Sequence, residues 1–352
     1  MKYFKIKHIA LLLAVTSAPL YTACDFMDCS ETDYYSKQQI LDNMDRVKQL
    51  ATQVYSYLPH DFCNTSGAMQ DAATDDAIHV YESSAIQRFV NGTWSANYTV
   101  NDVFGTYYNA IHDANFYLEN CVGLTFDEWK YSDGFADDYK SYLNYEHEVR
   151  FLRAFYYFNL VQCWGDVPLK LESTYSSGTV TDKDIARTDK NVIYKFIVKE
   201  MEEAADEGLL SAKDLGYKPN RISKSAAWGI LARVYLFWAG EHNRDDQPEP
   251  AEAKSYFERA SHFGQLVMGE GHELAEDYWD AFIDMCSDKY NTSGSNESIW
   301  EVEFASDGTG DVRSEGRIGN TIGLQCADFS SQSSLVGKAD PGYSYGFLWA
   351  TP

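Results

Sequence analysis

The sequence predicts a mainly α fold: a tetratricopeptide-like solenoid of helical hairpins carrying long irregular insertions and a few short strands. Three observations predict it. Amphipathic stretches recur as antiparallel pairs, 37–58 with 104–121, 142–163 with 189–208, and 223–239 with 251–268. An internal echo joins two of them, because Leu152-x-x-Phe155-Tyr156-x-Phe158 returns as Leu231-x-x-Val234-Tyr235-x-Phe237. Small residues at Ala227, Ala232, Ala253 and Ala260 stand among large aromatics, the knob-and-hole pattern of stacked helical pairs. Insertions break any constant period, but a stack of pairs still buries what one pair cannot.

The chain is organised around EVRFLRAFYYFNLVQCWGDVPL, from Glu148 to Leu169. Val149, Leu152, Tyr156, Leu160 and Cys163 form one helical stripe, with Phe151, Phe155 and Phe158 beside it. So wide an apolar arc requires neighbours on at least two sides. Gly165 and Pro168 then end the helix. The first helix buries Leu41, Met44, Leu50, Ala51, Val54, Tyr55 and Leu58 and stops at Pro59. From His60 to Asp102 helical periodicity fades into Asn, Asp, Ser, Thr and Gly; a long insertion of this kind is a place for function. Helix resumes at Phe104 with Tyr108, Ile111, Asn115 and Leu118 on one face. Asp127 to Lys140 is a charged, aromatic-bearing connection. Asp189 caps the helix bearing Ile193, Ile197, Met201 and Ala204, and Ser223 caps the next. Beyond Gly271 the pattern weakens, and Ser298 to Phe304 alternates like a strand.

Composition narrows the function. The 352 residues carry a formal charge of −24, and removing a leader with Lys2, Lys5 and Lys7 but no acid lowers it by three, to −27. Such a surface repels nucleic acid and anionic lipid, so neutral ligands or cations are the expected partners. Residues 1–23 form a signal peptide: a basic start, a short apolar run from Ile9 to Val15, and small residues at Thr22-Ala23. Cys24 follows directly, as in a bacterial lipobox, although Tyr21 stands where Leu is usual. Acyl chains such as palmitate on Cys24 would tether the protein, with residues 24–36 as a polar tether. The alternative is a secreted protein in which Cys24 is an ordinary cysteine. The other cysteines show no C-x-x-C, zinc or disulfide spacing, and Cys121 and Cys163 fit buried thiols.

No catalytic set emerges. Asp75 and Asp76 are adjacent, whereas glycosidase carboxylates must face each other across a sugar. Gly342-Tyr343-Ser344-Tyr345-Gly346 matches a nucleophile elbow in letters only, with no acid or His after it. No metal-binding His pair and no phosphate-binding glycine loop is present. A binding constellation is more promising. Trp94, Tyr98 and Asn101 share the 60–103 insertion with Asp75 and Arg88. Aromatic planes can stack on the apolar face of a sugar while Asn, Asp and Arg bond its hydroxyl rim. Equally, Trp94 could plug the insertion onto the solenoid. Trp300 and Trp279 raise the same question, with a lean toward core. The 26 Tyr suit both packing and polar ring-shaped ligands.

The chain resembles the SusD/RagB family of outer-membrane nutrient-binding lipoproteins. Cys24, Thr74-Asp75-Asp76 and Phe104-x3-Tyr108-x2-Ile111-x3-Asn115 carry the resemblance. Arg150 to Leu169, Ile193 to Ala204, Arg221 to Leu236 and Asn296 to Val302 extend it. It implies a tetratricopeptide-like frame with an irregular ligand-binding portion at residues 37–352, no catalysis and no cofactor. It further implies a lipid anchor on the outer face of the outer membrane, an oligosaccharide ligand and a SusC-like TonB-dependent transporter as partner. On residue chemistry, Asp75, Arg88, Trp94, Tyr98, Asn101 and Trp300 are the candidate ligand-binding residues. Members are usually longer, so the C-terminal portion, with a fourth helical pair, is expected to be absent. The alternative function is a helical-repeat lipoprotein scaffold for protein partners.

Overall fold

The structure, a computed structural model, describes residues 35–58, 72, 74–79, 85–95, 97, 103–173, 185–244, 250–286, 289, 294–303 and 348–350. The proposed leader and Cys24 lie outside these residues. The helices, in chain order, are α1 (Lys37–Leu41), α2 (Met44–Tyr55), α3 (Ala85–Val90), α4 (Phe104–Asn120), α5 (Phe135–Trp164), α6 (Lys190–Glu207), α7 (Lys224–Arg244), α8 (Pro250–Met268) and α9 (Asp280–Cys286). Two strands, β1 (Ala77–His79) and β2 (Leu348–Ala350), pair antiparallel. Helix α5 packs on α2, α4 and α6, α6 packs on α7, and α7 on α8. This is the expected row of hairpins. Among the described residues, no helix is long and apolar enough to cross a membrane.

Local chemistry explains where the elements begin and end. The single helix expected over 37–58 is two, because Asn43 leaves helical geometry and its side chain accepts a 3.0 Å bond from Arg46 N–H. Asp189 and Ser223 do cap their helices, accepting from Asn191 N–H at 2.8 Å and Ala226 N–H at 3.2 Å. Helix α5 begins earlier than its main apolar stripe. Phe135, Tyr139 and Tyr142 lie one turn apart, with centroid distances of 5.3 and 5.5 Å, so much of the expected charged connection is helix. Gly165, at φ 66°, ends α5 in a conformation that disfavours a Cβ. Cys121 is buried as expected, whereas Cys163 is exposed on the last turn of α5. The 298–303 segment is extended without forming a strand; its Glu301 N–H bonds Pro219 C=O at 2.9 Å, and Ile299, Trp300 and Val302 lie on the core.

The hairpins are joined by rings and by hydroxyls. Trp238 of α7 lies between Tyr194 of α6 and Tyr256 of α8, stacked at 5.4 and 4.0 Å. Buried tyrosines donate to backbone carbonyls of neighbouring elements: Tyr156 to Val54 at 2.6 Å, Tyr142 to Cys121 at 2.7 Å, and Tyr157 to Lys170 at 2.7 Å. Each buries a large apolar ring and gives its hydroxyl a partner inside the core. Burial holds the Tyr142 phenol up at about 12, so it remains a donor at neutral pH.

Charges are buried as well. Glu148 of α5 is 0 % exposed and accepts from Tyr55 of α2, Asn144 of α5 and Arg221 just before α7. Burial pushes its carboxyl above the ordinary range, while Arg221 and these hydrogen bonds pull it back. Beside it, Arg153 bridges Asn115 of α4 at 2.8 Å and Glu200 of α6 at 2.6 Å. Arg150 reaches Glu203 at 2.6 Å and Glu207 at 2.7 Å.

Replacing Glu148 by Ala strands Arg221 and Tyr55 and should lower unfolding stability by about 3–5 kcal/mol, read by urea titration. A second test concerns Gly208, where an added Cβ would meet the His147 ring at 2.0 Å. Gly208→Ala should cost about 1–3 kcal/mol, and most of that cost should vanish in a His147→Ala background.

Candidate functional site

The best-defined site candidate grows from the first insertion, which is not structureless. Thr74 Oγ1 accepts from Asp76 N–H at 3.2 Å, a local turn that sets the start of β1. β1 pairs with β2 in the register Ala77 to Ala350, Ile78 to Trp349 and His79 to Leu348. His79 is buried, and its carbonyl accepts from the Gln87 side-chain amide, which ties α3 to β1. At the end of α3, Gly92 adopts φ 65° and Thr93 N–H returns to Arg88 C=O at 2.9 Å. That is a Schellman-type stop, and only a residue tolerant of left-handed geometry closes it cheaply. Trp94 follows directly, with 55 % of its surface exposed.

Asp75, Arg88 and Trp94 therefore belong to one lobe, and all three are exposed. An indole so open to solvent does not plug the insertion onto the frame. Tyr98 and Asn101 lie outside the described residues. Trp300 stands on the frame itself, edge-on to Phe151 at 5.9 Å and to Phe155 at 5.4 Å. Its Nε1 is buried with no hydrogen-bond partner among the described residues. Trp279, by contrast, is 64 % exposed, against the expectation of a core position. It forms an open cluster with Tyr278 and Phe282, with centroids 5.3–6.1 Å apart.

Sequence reading missed two things here. Gln87 carries no motif, and its partner is a backbone carbonyl, so no side-chain pattern could reveal it. The Tyr278-Trp279-x-x-Phe282 spacing was visible, but its exposure was not. Two concavities lie elsewhere, on the first helices. One of about 450 Å³ is bordered by Asp45, Lys48, Gln49, Thr52, Gln53 and Ser56 of α2 and its C-terminal cap. One of about 280 Å³ is bordered by Lys37, Ile40, Leu41 and Phe116. Among the described residues, no group of three or more His, Cys, Asp or Glu could hold a metal ion.

The described residues thus form a helical-hairpin frame with a side lobe that displays an exposed tryptophan and polar residues. The chain belongs to the SusD-like_3 family, described as "Starch-binding associating with outer membrane", which matches residues 25–236. It is 25% identical over 225 residues to a SusD-like protein P25 of Formosa agariphila, covering 63% of this chain and 35% of that one. It is 23% identical over 307 residues to a SusD-like protein of Bacteroides ovatus, covering 84% and 49%. The chain thus spans half or less of the length of these relatives. Among solved structures, a SusD homologue from Bacteroides thetaiotaomicron superposes with a TM-score of 0.68 at 24% identity, covering 89% of this chain and 55% of that one. A laminarin-binding SusD-like protein gives 0.62 at 21%, covering 88% and 62%. These structural likenesses show a shared fold.

The two tryptophans should separate by stability. Trp94→Ala should leave the urea midpoint unchanged, whereas Trp300→Ala should cost about 1–3 kcal/mol through lost ring contacts.

Proposed function

We propose that this is a cell-surface glycan-binding protein that captures an oligosaccharide without altering it. The carrying observation is the open Trp94 indole, set just after the capped end of α3 in the lobe that also carries the exposed Arg88 and Asp75. A sugar ring can stack its apolar face on the indole while the guanidinium and carboxylate bond hydroxyls at its edge. Tyr98 and Asn101, a few residues beyond Trp94 in sequence, are proposed to extend that surface, whereas Trp300 packs on the frame against Phe151 and Phe155. The family description and the laminarin-binding neighbour support a polysaccharide-derived ligand. The strongly acidic composition agrees with a neutral ligand in preference to a nucleic acid or an anionic one.

In the same proposal, Cys24 carries the lipid that holds the protein on the outer face of the outer membrane. The captured glycan passes to a SusC-like TonB-dependent transporter beneath it. The hairpin frame suits that task because it holds the lobe on a rigid support.

Isothermal titration with α- and β-linked gluco-oligosaccharides tests the binding role. The wild-type chain should bind at least one series, and Trp94→Ala should weaken binding about tenfold, or about 1.4 kcal/mol. Undiminished binding by Trp94→Ala would remove the indole from the site, and no binding by the wild type to either series would remove the glycan reading.

A further inference from the structure

The exposed lobe is joined to a distant part of the chain. Among the described residues between 74 and 95, no element is long enough to form a stable unit alone: β1 has three residues and α3 has six. Two bonded links nevertheless run through it in series. The first is the backbone pairing of β1 with β2, contributed by residues 348–350. The second is the Gln87 side-chain amide, which donates to His79 C=O and so fixes α3 to β1. Beyond it, Asn91 N–H bonds Gln87 C=O and Thr93 N–H bonds Arg88 C=O, each at 2.9 Å. Arg88 and Trp94 therefore stand at the far end of a chain of hydrogen bonds that begins at residues 348–350.

We propose that strand β2 and Gln87 are positioning groups for the ligand surface: they set the orientation of Arg88 and Trp94 without touching the ligand. This rests on the glycan-binding reading above and deepens it. Such a tie reduces the conformational freedom that binding would otherwise have to remove, so its loss appears as weaker affinity. The frame is built from helices elsewhere in the chain, and its stability does not depend on the tie.

The test uses the full chain. Trp349→Pro, and separately Leu348→Pro with Ala350→Pro, remove the alternate backbone donors of β2. Gln87→Met keeps length but removes the side-chain donor, and Gln87→Arg keeps a donor as a conservative rescue. At least one proline variant, together with Gln87→Met, should speed amide hydrogen exchange at Asn91 and Thr93 about tenfold or more. Exchange in α5 to α8 and the urea midpoint should stay unchanged. Glycan affinity should fall about tenfold in the same variants and recover in Gln87→Arg. Unchanged exchange at Asn91 and Thr93 in every variant would overturn the proposal, as would full affinity in variants whose exchange has risen. A wild-type chain that binds no glycan would instead overturn the binding reading, while exchange would still show whether β2 and Gln87 hold the lobe.

Discussion

One buried carboxylate constrains the whole frame. Glu148 lies without solvent at the middle of the longest helix, and its oxygens are bonded from α2, from α5 and from the segment entering α7. A buried charge is tolerated only when its partners are all in place. Those partners come from three hairpins, so the hairpins can stack in only one way that satisfies Glu148. Apolar stripes alone would allow α5 to slide or turn against its neighbours with little penalty. The Arg153 bridge between Asn115 and Glu200 adds a second fixed point about one turn further along. Both residues interrupt a helix face that is otherwise aromatic, which makes register specific where greasiness alone is not.

The abundance of tyrosine follows from the same demand. A helical frame has many helix ends, and each presents carbonyls that no residue of its own helix can satisfy. Tyr156 and Tyr142 each bury a ring in the core and extend a hydroxyl to such a carbonyl, at Val54 and Cys121. Phenylalanine would fill the space and leave the carbonyl stranded. These buried tyrosines therefore serve as structural connectors, while the exposed rings among the described residues include Tyr35, Tyr131, Trp94 and the Tyr278–Trp279–Phe282 cluster.

Much of the frame was legible because helical periodicity is a strong signal in long segments. The pairing of α5 with α6 and of α7 with α8, and the caps at Asp189 and Ser223, could be read directly. The break at Asn43 was harder to see, since a single residue interrupts a stripe that continues on both sides. The early start of α5 was hidden because Asp137, Asp138 and Lys140 surround the ring spacing that drives it. Glu148 and Arg153 looked like ordinary charges on an amphipathic helix; only the approach of Arg221, Asn115 and Glu200 from distant segments gives them meaning. Of the proposed ligand surface, Asp75, Arg88 and Trp94 could be named because residue type suits sugars. Their shared lobe could not, since it depends on a strand partner far along the chain.

The order in which these contacts can form has a biological consequence. The hairpins between residues 104 and 268 rely mostly on neighbours in sequence and can form while later segments are still being synthesised. β1 has no such option, because its partner, residues 348–350, lies beyond all of these hairpins in the sequence. The lobe that carries Arg88 and Trp94 is consequently tied down only after the hairpins that separate β1 from β2 have been made, so a chain that has reached only residue 268 presents a finished skeleton with an unfinished hand.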